Sequence, residues 1–173
     1  FDEGQHISRG YAYLKAGDLR FSRVREHPPG MNLLEAAPLM LFPNLPEPAS
    51  LRGWAETDTE LFAKQLVWKS PIIEKLVFAA RLPVMLVTLL LAAFVFRWAS
   101  DLAVTFSSSR AGPKAGLIAL GLCAFDPNII AHGLLTTTDM GATAFSLIAL
   151  YWLWRSLRRP SPGVLAAAGI TLG

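Results

Sequence analysis

Asp2 and Glu3 stand side by side at the head of a polar stretch covering residues 1–80. A carboxylate in such a place serves as a general base when it lies within hydrogen-bond reach of a hydroxyl and its pKa suits the working pH. It can also ligate a divalent metal ion. His6 follows Asp2 at i, i+4, a ligand-like spacing, yet a lone Asp/His pair without an HExxH or a Cys/His cluster is weak evidence for a metal. The competing role for Asp2 is to cap a short helix, with the acidic pair favoured by the helix dipole. His27 precedes Pro28-Pro29 in a rigid turn, where it can donate to a phosphate, bind a metal or simply be solvated. Arg81 stands where the polar stretch meets the apolar half of the chain. A guanidinium there can grip a lipid phosphate through two parallel bonds, or snorkel to ordinary headgroups. A second acidic turn runs from Asp126-Pro127-Asn128 through His132 to Asp139 and interrupts the apolar half. Asp126-Pro127 can end a helix, and Asp139 or Thr138 can cap the next one. Carboxylates at a membrane surface are costly and usually have a job, so the set points to a membrane enzyme working on one face of the bilayer.

Those residues need elements to hold them. With 53% hydrophobic and 17% charged residues the chain is too apolar for an ordinary soluble domain and too charged for membrane spans alone. The periodicity predicts a short helix over 4–17, with Ile7, Tyr11 and Leu14 on one face and Gly17 as its C-cap. Residues 23–30 read as a turn, Met31 to Met40 as a short apolar helix lying on the membrane, and 43–50 as a proline-rich loop. Trp54 to Ala80 reads as an amphipathic interfacial helix, with Trp54 and Trp68 at headgroup level. Spans are expected at about 82–100, 112–126 and 140–157, with another starting near 164. Pro83 is placed in the first turn of the first span, where proline is tolerated. The expected fold is an all-α integral membrane protein: a multi-span helical bundle with a large extracytoplasmic first loop.

Charge sets the orientation. Arg97, Arg110 and Lys114 lie between the first two spans, and Arg155, Arg158 and Arg159 after the third. Both clusters read as cytoplasmic, which puts residues 1–80 and the loop 126–139 on the opposite face, where the acidic sites would meet. No basic run is interleaved with exposed aromatics, which argues against nucleic acid as a partner. The spans show no midplane charge and no pair of broken helices, which argues against a transporter. The single Cys123 cannot form an intrachain disulfide. A start at Phe1 and an end inside an apolar stretch read as a piece of a longer protein.

Taken in order, Phe1-Asp2-Glu3, Gly17-Asp18, Glu26-His27-Pro28-Pro29, Arg81-Leu82-Pro83, Ala124-Phe125-Asp126-Pro127-Asn128, His132-Gly133 and Thr137-Thr138-Asp139 resemble the membrane glycosyltransferases of the GT-C fold. The resemblance is to the branch containing protein O-mannosyltransferases and bacterial aminoarabinose-type lipid A transferases, over the N-terminal portion only. It implies transfer of a sugar from a polyprenyl-phosphate carrier to a protein or lipid acceptor on the outer face of a bacterial plasma membrane. It further implies Asp2 as catalytic base with Glu3 as its acidic neighbour, and Arg81 and His27 at the donor phosphate. Asp139, His132 and Asp126 would support the site. The chemistry stands without the family: cations stabilise a phosphate leaving group, and one displacement by a hydroxyl inverts the anomeric centre. A different class also fits the sequence, namely a non-catalytic membrane subunit of the same fold packed into a larger complex.

Overall fold

The computed structural model describes residues 2–21 and 29–172, and their regular structure is entirely helical. The chain divides into two compact units, one formed by residues 2–85 with 134–138, the other by 86–133 with 139–172. The division falls within the longest helix.

The first unit holds α1 (Glu3–Ala16), α2 (Gly30–Ala36) and α3 (Thr59–Ala63). Helix α1 stops at Gly17, whose φ of 66° is left-handed and lets its N–H reach the carbonyls of Ala12 and Tyr13. This agrees with the cap expected from the sequence. Helix α2 continues into a 3-10 turn, Ala37–Leu41. Ile7, Tyr11, Phe21, Ala36, Leu39, Phe62 and Leu66 form a closed apolar core. Each fully buried Leu or Phe there contributes roughly 1.5–3 kcal/mol. Tyr11 spends its hydroxyl on the Pro46 carbonyl at 2.8 Å, and Phe21 and Trp54 stack at 5.2 Å. One face of Met31 to Met40 is taken up by protein, with Met31, Ala36 and Leu39 buried, while Leu34, Met40 and Leu41 stay exposed on the other.

The continuous interfacial helix expected over Trp54 to Ala80 is absent. Asp58 caps α3 by accepting from the Leu61 N–H at 2.9 Å, and a π-helical turn follows over Lys64–Trp68. Ser70 and Pro71 then turn the chain before α4 (Ile73–Phe106) begins. Pro71 has no N–H to continue the ladder, which ends the preceding helix.

Helix α4 has 34 residues. At about 1.5 Å per residue it is about 51 Å long, well beyond an apolar bilayer core of about 30 Å. It starts earlier and ends later than the span expected at 82–100. Pro83 consequently sits inside the helix rather than in its first turn, where it removes a bond to the Ala79 carbonyl. Arg97, expected in a loop, is likewise helical. The second unit continues with α5 (Ala111–Ala124), α6 (Pro127–His132), α7 (Asp139–Arg158) and α8 (Pro162–Leu172). Among the described residues α4 is the one helix long and apolar enough to cross a membrane, by length and composition.

Candidate functional site

The chemistry-bearing residues of the first unit gather at the N-terminal end of α1. Glu3, its first residue, is buried and meets Arg81 of α4 in a two-pronged pair, Arg81 Nε donating at 3.0 Å and Nη2 at 2.8 Å. The same carboxylate accepts from the Thr136 N–H at 3.0 Å and from the Thr136 hydroxyl at 3.2 Å. Burial pushes the Glu3 carboxyl up, but Arg81 and the two Thr136 donors together outweigh it and hold its pKa below the usual value. Four donors on two oxygens leave Glu3 ionised and occupied. Arg81 keeps Nη1 without a hydrogen-bond partner among the described residues.

Asp2 differs from its neighbour. It occupies the cap position of α1, yet its side chain makes no capping bond. Instead Oδ2 lies 3.4 Å from His6 Nε2, one turn along the helix, and the Asp2 side chain is 59% exposed. His6 Nδ1 in turn lies 2.9 Å from Asn32 Oδ1 of α2. The two helices come close at Gly10, where a Cβ would overlap the Asn32 carbonyl oxygen. Glu35, one turn beyond Asn32, is fully buried, and neither carboxyl oxygen has a hydrogen-bond partner among the described residues. Burial raises its pKa to about 8, with the charges of Glu3 and Asp2 adding to the rise. At neutral pH Glu35 is therefore largely a neutral acid.

A cleft of about 520 Å³ opens beside Asp2, lined by Gln5, Glu60, Lys64 and Trp68. Gly4 packs directly on the Trp68 indole, since a Cβ there would come within 2.6 Å of the ring nitrogen. The cleft thus offers one exposed carboxylate, a second acid, an amide, an ammonium and an aromatic face. That combination suits a polyhydroxylated ligand: hydrogen-bonding groups for hydroxyls and an indole for an apolar face. No three His, Cys, Asp or Glu side chains among the described residues are grouped to hold a metal ion.

The other expected residues fall elsewhere. His27 and its turn lie outside the described residues. Asp126-Pro127 follows directly on the end of α5 at Ala124, as expected, and Asp126 also caps α6, accepting from the N–H groups of Asn128 at 2.9 Å and Ile129 at 3.1 Å. His132 Nδ1 lies 3.3 Å from Asp139 Oδ2, so these two pair with each other within the second unit. Sequence reasoning passed over Thr136, Asn32 and Glu35. The signal for Glu35 was available: it is the one charge in the apolar run Met31–Leu41. Comparison with protein-family models, with curated proteins and with solved structures finds no match for this chain.

Proposed function

We propose that the chain is the N-terminal part of a membrane glycosyltransferase that moves a sugar from a polyprenyl-phosphate carrier to an acceptor hydroxyl on the extracytoplasmic face. The observation that carries this reading is the contrast between two adjacent carboxylates. Glu3 is saturated by Arg81 and Thr136, whereas Asp2 opens onto a cleft with its charge uncommitted to a helix cap. A base must be exposed to its substrate and held by something rigid, and Asp2 is anchored by the clamp on the next residue. In this reading Glu3 is a positioning residue rather than a second base. Asp2 takes the acceptor's proton, the acceptor oxygen bonds to the anomeric carbon, and the bond to the carrier phosphate breaks with inversion. The free Nη1 of Arg81 is the donor available to the departing phosphate.

The same reading places α5, α7 and α8 beside α4 in a multi-span bundle of GT-C type. Support comes from Gly112 and Gly116 of α5, spaced G-x-x-x-G. A Cβ at Gly112 would come 2.7 Å from Val104, and one at Gly116 would overlap the Ser100 hydroxyl, so α5 and the later part of α4 pack at close range. Small residues at such spacing are how apolar helices approach in lipid.

The internal neutralisation of Arg81 by Glu3 also favours a second reading, a non-catalytic subunit in which the pair is purely structural. The test is Asp2→Asn in the full-length protein, assayed for transfer from a polyprenyl-phosphate sugar. The enzyme reading expects transfer to fall by about 100-fold or more with the thermal transition unchanged, and an inverted product from the parent protein. Absence of transfer by the parent protein leaves the subunit reading standing, whereas transfer unchanged by Asp2→Asn, or a retained anomer, removes Asp2 as the base.

A further inference from the structure

The second unit holds a pocket of about 380 Å³ between the C-terminal part of α4 and the end of α7. Arg97, Arg155, Arg158 and Arg159 line it together with Asp101 and Trp154. Four guanidinium groups against one carboxylate leave a net charge of +3 around a space at the lower end of the roughly 300–1,000 Å³ typical of small-molecule sites.

Like charges gathered this closely repel, so something must hold them. Asp101 Oδ2 accepts from Arg97 Nε at 3.1 Å and from the Tyr151 hydroxyl at 3.0 Å. Tyr151 in turn accepts from Arg155 Nη1 at 2.9 Å. One carboxylate and one phenol thus fix two arginines from two helices and still leave each of them free donors. Arg155 lies over the rings of Tyr151 and Trp152, at 5.9 and 5.7 Å. Arg158 lies over those of Phe106 and Trp154, at 5.2 and 5.3 Å. A guanidinium stacked by its face keeps its in-plane N–H groups for hydrogen bonds. Arg158 and Arg159 have no carboxylate partner among the described residues. Basic clusters that merely set membrane orientation need no concavity and no internal scaffold; this one has both.

We propose that this pocket is a binding site for a phosphate group carried by an anionic lipid, with the planar N–H forks of Arg158 and Arg159 as its main grip. The lipid source is favoured by the setting. Leu153, Leu157 and Phe106 are exposed beside the arginines, offering apolar surface to acyl chains next to the charge. The basic clusters of the sequence assign this end to the cytoplasmic side, where anionic headgroups meet juxtamembrane arginines. The site is independent of the transfer chemistry, because none of its residues belongs to the cleft beside Asp2.

The test uses the full chain in neutral detergent and three probes: short-chain phosphatidylglycerol, short-chain phosphatidylcholine and inorganic phosphate. Calorimetric titration is expected to give saturable binding of phosphatidylglycerol and none of phosphatidylcholine. The double variant Arg158→Gln/Arg159→Gln changes two exposed side chains and is expected to lose roughly thirtyfold in affinity at low salt, with an unchanged far-ultraviolet circular dichroism spectrum. The variant Arg158→Lys/Arg159→Lys keeps the charge but loses the forks, and is expected to fall between the two. Inorganic phosphate binding as tightly as the lipid, with the same loss in the Gln variant, supports the phosphate chemistry and assigns its source to free phosphate. Absence of saturable binding by either phosphate probe overturns the proposal, as does affinity unaltered by the Gln variant or fully restored by lysine.

Discussion

Glu35 gives the fold a pH dependence opposite in sign to the usual acid denaturation. Its carboxyl is fully buried, has no hydrogen-bond partner among the described residues and feels the negative charges of Glu3 and Asp2. In the unfolded chain it titrates near the ordinary 4.5; in the folded protein it does so at about 8. Between those values the folded state keeps a proton that the unfolded state has released, so stability falls as pH rises. The contribution is fully present below pH 4.5 and is lost by the time pH has passed about 8. At about 1.4 kcal/mol per pH unit this window is worth roughly 5 kcal/mol as an upper bound. About 4 kcal/mol of it falls between pH 5 and 8.5, and for a chain of this size about 2–4 °C accompanies each kcal/mol, so the transition should drop by roughly 8–15 °C over that interval. Glu35→Gln has nearly the same shape and no proton to lose. It should flatten that slope, matching the parent near pH 5 and exceeding it by several kcal/mol at pH 8.5. The assay is thermal unfolding followed by tryptophan fluorescence across the pH series for both proteins. Parallel pH profiles for parent and variant would refute the reasoning, because they would mean that Glu35 titrates alike in the folded and unfolded chains. Glu3 acts in a separate window: its lowered pKa makes its contribution disappear only as pH falls below 4.5, through its folded value.

Three further outcomes follow from the packing. Glu3→Gln strips the counter-charge from a half-buried Arg81 and should cost about 3 kcal/mol, read by chemical denaturation at pH 7. Gly10→Ala pushes a methyl group into the Asn32 carbonyl and should cost roughly 1–3 kcal/mol, seen as a lowered thermal transition. Asp126→Ala removes two capping bonds from a six-residue helix and should cost about 1 kcal/mol, with local loss of amide-exchange protection at Asn128 and Ile129.

Much of the helical framework was legible. The apolar stretches after residue 80 are helices, and Gly17 ends α1 as its spacing predicts. The failures share a cause. Periodicity shows that a segment has an apolar face but not what covers it. Met31, Ala36 and Leu39 would satisfy a membrane surface or a protein core equally well, and the core takes them. The interfacial helix over 54–80 failed on Pro71, whose missing N–H outweighs the amphipathic pattern around it. Asp126-Pro127 marks the end of α5 as expected but also begins α6, because Asp-Pro serves as stop and start alike. At the candidate site, Asp2 and Arg81 carry recognisable chemistry in their side chains alone. Thr136 binds Glu3 partly through its backbone N–H, which every residue but proline has, so nothing in its identity marks it.

That backbone contact bears on the order in which the molecule can be assembled. The N-terminal unit consists of residues up to 85 and a five-residue segment, 134–138, made much later. A ribosome adding about 5–20 residues per second needs roughly 2.5–10 s to go from residue 85 to 136. Throughout that interval Glu3 lacks two of its four donors, and Asp2 projects from a half-built anchor. A nascent chain arrested after α4 should therefore already pack α1 into its apolar core, with the Glu3 carboxylate gaining its last two donors only once Thr136 has emerged.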